Sequence, residues 1–546
     1  MKKIIVLLIV FMTPFLIRAQ EGRSFFIEPE YDSEARKEVE AVFIYEGEDI
    51  RFYVEESWWS DKIEEERDDY YREVIEKLGD EFDSKIREPM ISAFGPEPIH
   101  PVSDRQKVSV LIHSMRDNAG GYFNSGDQYS RYQNPRSNEM SLLYLSTEVL
   151  DYEDRGGFLA HEFMHLLVFN QKERLRGVRE EVWLNEARAE FMPTYLGYDD
   201  HSGSNLDSRV ETFLDYPDTS LTEWLGRRSD YGVVNLFTQY VVDHYGVEVL
   251  IDSLKSEHYG IKSINYALEK AGYEENFHQI FNDFKVAVLI NDCDLGERFC
   301  FRREDLTDLR VTPATSHISF GERSTISVER RTKNWAGNWH KITGGKGTLK
   351  VELGTDEDLR VEIPYILCDF NDYCEVNHLR AEEGRAQIQI EEFNEKYRSL
   401  TIMPSIQDKI TGYNGSERSY LMSWEVEVIA DDSRLETLEK LGNLRRLLEE
   451  LRDQIKVEED KLCTIEGPLY YGVTDSESVE CLQKFLSSVP DIYPEGYVTG
   501  NFLHLTEKAV IRFQERYAEE ILNPFGIDKG TGYVGERTIR KINNLR

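Results

Sequence analysis

The stretch LAHEFMHLLVFN, residues 159–170, sets His161 and His165 four positions apart in an apolar run, with Glu162 between them. On a helix, positions i and i+4 share a face, so both imidazoles reach one point. Neutral imidazole nitrogens are good ligands for Zn2+. Glu162 falls about 100° around such a helix from His161, beside the ion and not on it. There its carboxylate can take a proton from a water whose pKa the ion lowers towards about 7, then deliver it to a leaving amine. The competing explanation is a core-packed helix that carries two histidines by chance.

A hydrolytic zinc site needs a third protein ligand and an open fourth position. One known arrangement adds a histidine six positions after the second. Here position 171 is Gln, and position 168 is Val where that arrangement has glycine, so it is excluded. Another takes a glutamate from a following helix. VWLNEARAE, 182–190, offers Glu186, 21 positions after His165, with room for a turn near Gly177 and an antiparallel return. Glu180 and Glu181 compete by composition, although acids are also expected near a helix start. Glu190, one turn beyond Glu186, can accept the second N–H of a ligand histidine. Its other reading is an exposed helix acid.

HEFMH followed by WLNEARAEF resembles the gluzincin class of zinc metallopeptidases, and within it the secreted hyicolysin-like family. The resemblance spans residues 40–300 and includes YGVVNLFTQYVVDHYG. It implies His161, His165 and Glu186 as Zn2+ ligands and Glu162 as catalytic base. Asn185-Glu186-Ala187 departs from the Asn-Glu-Gly of many relatives but leaves the ligand in place. Gluzincins often stabilise the oxyanion with a Tyr or His downstream of the third ligand. Tyr231, opening the YGVVNLF helix, is the candidate, ahead of His244 and Tyr245 at that helix's far end. EMSLLYLS, 139–146, resembles the edge strand on which such enzymes align an extended peptide. DDHSGSNLD, 199–207, offers oxygens to calcium but lacks the full loop pattern and reads as a solvated loop. No Gly-x-Met-Glu-Asn run precedes the histidines, which argues against an aminopeptidase. The remaining alternative is a wall-bound binding or scaffold protein with a non-catalytic zinc site. Glu162 argues against it, since a structural site has no use for that acid.

The elements that must position these residues follow from periodicity. Residues 20–150 read as a mixed α/β lobe: strands either side of Gly47, a helix through Tyr70, Val74, Ile75 and Leu78, and buried strands KVSVLIHSM and EMSLLYLS. Residues 151–305 turn helical, with Gly246 and Gly272 at helix ends. Residues 306–430 show period two in six short strands and suggest a β-sandwich. Residues 431–462 carry Leu441, Leu444, Leu448, Leu451 and Ile455 in a helical, coiled-coil-like spacer too short to assert oligomerisation. Residues 463–546 form a small α-rich domain with helix starts at Thr506 and Glu536 and a repeated hydrophobic-Gln pair, Leu482-Gln483 and Phe513-Gln514. The expected fold class is therefore multidomain: an α+β two-lobed metallopeptidase, a β-sandwich, a helical spacer and a C-terminal domain. VECLQKFL, YPEGYVTGNFLHLTEKAVIRFQ and GYVGERT in that last domain resemble the peptidoglycan-binding domain of many secreted wall hydrolases, which implies peptidoglycan as a partner.

A chain of 546 residues has length for about three or four domains. Its formal charge of −37, from 102 acidic and 65 basic residues, argues against nucleic acid or an anionic membrane as partner. Residues 1–19 have the layout of a secretory signal peptide: Lys2 and Lys3, an apolar stretch from Ile4 to Ile17, then Ala19. The apolar stretch is short for a membrane span of about 20 residues, so stable membrane insertion is not expected. The expected location is extracellular, at the cell wall if the C-terminal domain binds there, with a protein or peptide as substrate. The segment from Gln20 to Glu40 is a candidate prosegment. Six cysteines fall into the local pairs Cys293/Cys300, Cys368/Cys374 and Cys463/Cys481, and export permits disulfides.

Overall fold

The computed structural model describes residues 22–99, 107–117, 119–319, 323–355, 359–408, 417–429, 442, 444–448, 463–489 and 491–545. The signal-peptide segment and most of the spacer, including Leu441, Leu451 and Ile455, lie outside the described residues. The chain divides into two compact units, 1–435 and 436–546. It is a multidomain mixed α/β protein, and no helix among the described residues is long and apolar enough to cross a membrane.

The first unit begins with a six-stranded sheet. Its strands are β1 (Gly22–Phe26), β2 (Glu38–Glu46), β3 (Ile50–Glu55), β4 (Val108–His113), β5 (Gly121–Phe123) and β6 (Leu142–Ser146), ordered β1-β2-β3-β4-β6-β5. β3, β4 and β6 run parallel, whereas β5 pairs antiparallel to β6. Strands β4 and β6 are buried at every position, which explains their unbroken hydrophobic runs. Leu143 and Leu145 face a core shared with α1 (Glu56–Glu64), α2 (Asp68–Glu81) and α3 (Arg87–Phe94), while Leu142 and Tyr144 face Phe25, Ile27 and Val39. One expectation changes here. EMSLLYLS contains an interior strand, and the sheet edge is β5. Of the segment Gln20–Glu40, the described residues 22–40 form part of the fold: β1 pairs with β2 over five residues, and Phe25, Ile27 and Asp32 are buried.

Seven helices follow: α4 (Arg155–Val168), α5 (Val182–Tyr195), α6 (Asn205–Asp215), α7 (Arg228–Tyr245), α8 (Glu248–Leu254), α9 (Gly260–Ala271) and α10 (Phe277–Ile290). Helix α4 is buried almost all round, and Leu159, Phe163, Leu166 and Leu167 each contribute about 1.5–3 kcal/mol by leaving water. That packing fixes its rotation about its axis. Gly246 and Gly272 end α7 and α9 with positive φ, as expected of helix-ending glycines.

Strands β7 (Thr315–Ser319), β8 (Arg323–Thr332), β9 (His340–Gly344), β10 (Gly347–Thr355), β11 (Val361–Asp369), β12 (Cys374–Arg380), β13 (Arg385–Phe393), β14 (Tyr397–Ile402), β15 (Ser405–Ile406) and β16 (Tyr420–Ile429) complete the unit. They form two layers, β13-β10-β16-β8 and β12-β11-β14-β9-β7, joined between β13 and β14 by the single pair Phe393–Tyr397. Val351, Val426, Ile363 and Leu400 fill one core between the layers. The expected boundary at 305/306 cuts through shared packing. Trp335, Trp339 and Met403 belong to the helical core, and Lys285 of α10 donates to Met403 O (2.8 Å) and Ser405 Oγ (2.5 Å).

In the second unit, helices Glu477–Ser487, His504–Arg516, Ala518–Ile521 and Glu536–Leu545 enclose Leu482, Phe502, Phe513 and Val534. The repeated glutamines explain its form. Gln483 Oε1 accepts the N–H of Thr499 (2.7 Å) and Gly500 (3.0 Å), and Gln483 Nε2 donates to Thr506 Oγ1 (2.8 Å). Gln514 repeats this with Thr531 (2.8 Å), Gly532 (3.1 Å) and Thr538 (3.2 Å). The three expected disulfides, Cys293–Cys300, Cys368–Cys374 and Cys463–Cys481, are all formed.

Candidate metal centre

Helix α4 presents His161 and His165 towards α5, which carries Glu186. The two Nε2 atoms lie 3.2 Å apart, and Glu186 Oε2 is 3.5 Å from the first and 3.6 Å from the second. A tetrahedral zinc ion with ligands at about 2.0–2.1 Å would set neighbouring ligand atoms about 3.3–3.4 Å apart. Among the described residues this is the only group of three or more such side chains close enough to hold a metal.

The surrounding residues select which ring nitrogens converge. His165 Nδ1 lies 3.0 Å from Asn185 Oδ1, an acceptor, so Nδ1 carries the proton. His161 Nδ1 faces Glu190 Oε1 at 3.5 Å, with the same consequence. Both Nε2 lone pairs then point at each other and at a carboxylate oxygen, an arrangement that a cation relieves. Glu190 is anchored by Arg209 at 2.7 and 2.9 Å. Burial raises the Glu190 carboxyl, but Arg209 and His161 outweigh it and hold the group below its usual range. Three carboxyl groups, Glu162, Glu186 and Glu190, thus surround the two imidazoles with one guanidinium, Arg209, a surplus of acidic groups that suits a cation.

Glu162 stands one position round α4, buried, with Oε2 lacking any hydrogen-bond partner. Burial, followed by the charges of Glu186 and Glu190, pushes its carboxyl up to about 8 against the pull of His161. Its Oε1 lies against the sheet edge: a Cβ at Gly121 would come within 2.8 Å of that oxygen and 2.6 Å of Tyr144 O. Only glycine lets β5 pass so close to this carboxylate. β5 pairs with β6 on one side, and no other strand among the described residues pairs with it.

Tyr231 lies one turn inside α7, which starts at Arg228 and not at the tyrosine. Its ring packs on Trp224 at 4.7 Å and under the Arg209 guanidinium at 4.9 Å. Burial, then the charges of Glu186, Glu190 and Glu162, push its hydroxyl far above the ordinary tyrosine range, keeping it a proton donor. The remaining candidates have other tasks. His244 Nε2 bonds Cys300 O at 2.8 Å and Tyr245 lies against Arg298. Glu180 is taken by Arg188 (2.8 Å) and the Gly260 N–H (2.7 Å), and Glu181 by Trp183 Nε1 (2.6 Å). In the 199–207 loop, Asp199 accepts from Leu206 N and Thr194 Oγ1, and Asp207 from Gly203 N.

Besides Arg209, which anchors Glu190, two contributors escaped the sequence reading. Gly121 is one; the paired glycines of AGGYF were its only signal. Tyr31 is the other. It stacks on Tyr122 of β5 with ring centres 4.5 Å apart, and burial with the charges of Glu30, Glu186 and Glu162 pushes its hydroxyl up to about 12.

No family model and no curated protein matches the chain. Among solved structures it is similar to the pre-peptidase C-terminal domain of a collagenase from Bacillus anthracis, at 8% identity over 21% of this chain and 97% of that chain, with a TM-score of 0.15. It is also similar to a Yersinia pseudotuberculosis-derived mitogen, at 9% identity over 20% of this chain and 89% of that one (TM-score 0.15). A family 11 carbohydrate-binding module from Clostridium thermocellum matches at 8% identity over 20% and 89% (TM-score 0.12). Likenesses of this size support no conclusion about function.

Proposed function

We propose that the chain is an exported zinc-dependent endopeptidase of the gluzincin type, with the sheet region and the helical region as the two lobes of its catalytic part. The observation that carries this reading is the triangle of His161 Nε2, His165 Nε2 and Glu186 Oε2 beside the unpartnered carboxylate of Glu162, next to the bare edge of β5. Zn2+ bound by His161, His165 and Glu186 would supply Lewis acidity and a water of lowered pKa. The substrate peptide lies along β5 and adds a strand to the sheet through its backbone. Glu162 takes the proton of the attacking water and returns it to the leaving amine. Tyr231 donates its hydroxyl proton in a hydrogen bond to the developing oxyanion. Asn185 and Glu190 hold the imidazoles in the tautomer that turns Nε2 inward. The C-terminal unit, by its sequence resemblance, tethers the enzyme to peptidoglycan, with a protein or a wall peptide as substrate.

The test compares the purified full chain with Glu162→Ala at matched zinc content, on a denatured protein. The parent is expected to cleave it, to stop on chelation and to recover on Zn2+ addition. Glu162→Ala should be slower by a factor of about 10²–10⁴. Equal cleavage by both chains would remove Glu162 from the mechanism. No cleavage of proteins or wall peptides by the zinc-loaded parent would overturn the hydrolase reading.

A further inference from the structure

Beside the His165 face of the centre lies a cavity of about 170 Å³. It is walled by Phe123 and Ser125 at the end of β5, by Val168 at the end of α4 and Phe169 just after it, and by Val182 and Asn185 of α5. By volume it takes about five or six water molecules, enough for one side chain of moderate size. Four charged residues complete its lining: Lys172, Glu173, Arg179 and Glu180. Three of them have little left to offer a ligand. Lys172 is fully buried and donates to Ser253 O (2.6 Å), Ser256 O (3.2 Å) and His258 O. Both oxygens of Glu180 are engaged, Oε2 by Arg188 at 2.8 Å and Oε1 by the N–H groups of Gly260 (2.7 Å) and Glu181 (3.0 Å). Glu173 is half-buried, and burial raises its carboxyl towards the neutral form while the charge of Arg179 draws it back. Arg179 is exposed and makes no hydrogen bond or ion pair with any described residue.

We propose that this cavity is a specificity pocket that receives an acidic side chain of the substrate, with the Arg179 guanidinium binding its carboxylate. The inference rests on the peptidase reading above. Phe123 stands two residues along β5 from Gly121, which lies against Glu162, so the pocket sits about 6–7 Å along the strand from the catalytic carboxylate. Its occupant is therefore a residue within about two positions of the bond that is cut. Phe123, Val168 and Phe169 cover the methylene stem of a glutamate, and the guanidinium forms a charge-assisted pair with its tip. The planar fork of arginine can accept both carboxylate oxygens, which a lysine cannot match.

The test uses the zinc-loaded full chain and peptides that are identical except for Glu, Gln or Lys at each of the two positions on either side of the scissile bond. The parent is expected to cut one Glu peptide with a kcat/KM about ten- to a hundredfold above its Lys counterpart. Arg179→Glu should reverse that order at the same position, and Arg179→Lys should keep part of it. Arg179 is exposed, so these variants should fold. In parallel, a fluorescent Glu peptide should bind the Glu162→Ala chain more tightly than its Lys counterpart, a difference that Arg179→Glu abolishes. Cleavage without a Glu preference at any of the four positions, or a preference that survives Arg179→Glu, would overturn the pocket and leave the peptidase reading intact. Absence of cleavage from every peptide, with the binding difference still present, would overturn the peptidase reading and leave the pocket as a binding site.

Discussion

Asn185 accepts the Nδ1–H of His165, and Glu190, clamped by Arg209, faces Nδ1 of His161. Asn185→Leu removes the acceptor without changing the bulk of the side chain greatly, and leaves His165 free to adopt the other tautomer. The affinity for Zn2+ should fall about 10- to 100-fold, read by competition with a chelating dye. An unchanged affinity would mean that Asn185 does not orient the ring. His161, Glu162 and His165 were legible in the spacing of one helix, whereas Glu186 was marked as their partner by the gluzincin resemblance and Glu190 stayed open between two readings. Gly121, Tyr31 and Arg209 were not legible. Each approaches from another element, and their contacts with Glu162, Tyr122 and Glu190 exist only once the chain has folded. Glu180 and Glu181 could be set aside only when their bonding partners were known.

At the scale of elements, the long amphipathic helices were plain and the short strands were not. Six strands of the sandwich, β8, β10, β11, β13, β14 and β16, stand out by alternation. β7, β9, β12 and β15 do not; they are five, five, seven and two residues long. β5 has three residues, too few to show any period, so in the sequence the neighbouring LLYLS resembles the edge instead. An unbroken apolar run is in fact the mark of a strand covered on both faces. The repeated glutamines were visible as a pattern, but their task was not. Gln483→Leu should strip the Thr499 and Gly500 N–H groups of their acceptor and destabilise the second unit by about 2–4 kcal/mol. Calorimetry of the full chain should show that unit's transition lowered by roughly 4–8 °C for each kcal/mol lost. A shift of less than a degree would deny the glutamine this role.

For the whole molecule, the junction between helices and sandwich matters most. Lys285, His278 and Asn282 of α10 bond to Met403, Ser405 and Gln407, while Trp335 and Trp339 complete the helical core. Glu223 adds Lys333 from the far side, at 2.5 Å. A chain ended at residue 311 loses all of these and exposes the apolar side of α10. It should lack the near-ultraviolet circular dichroism of a packed core, whereas a chain ended at residue 435 should keep it. A well-packed 311-residue product would show the sandwich to be dispensable. This shared core also sets an order on biosynthesis. Residues 151–305 contain every residue of the candidate metal triangle, yet their hydrophobic interior stays open until Trp335, Trp339 and Met403 have been made. The packing around the candidate metal triangle is therefore complete only once about a hundred further residues have been made, and Gln407, threaded between His278 and Asn282, is one of the later pieces it needs.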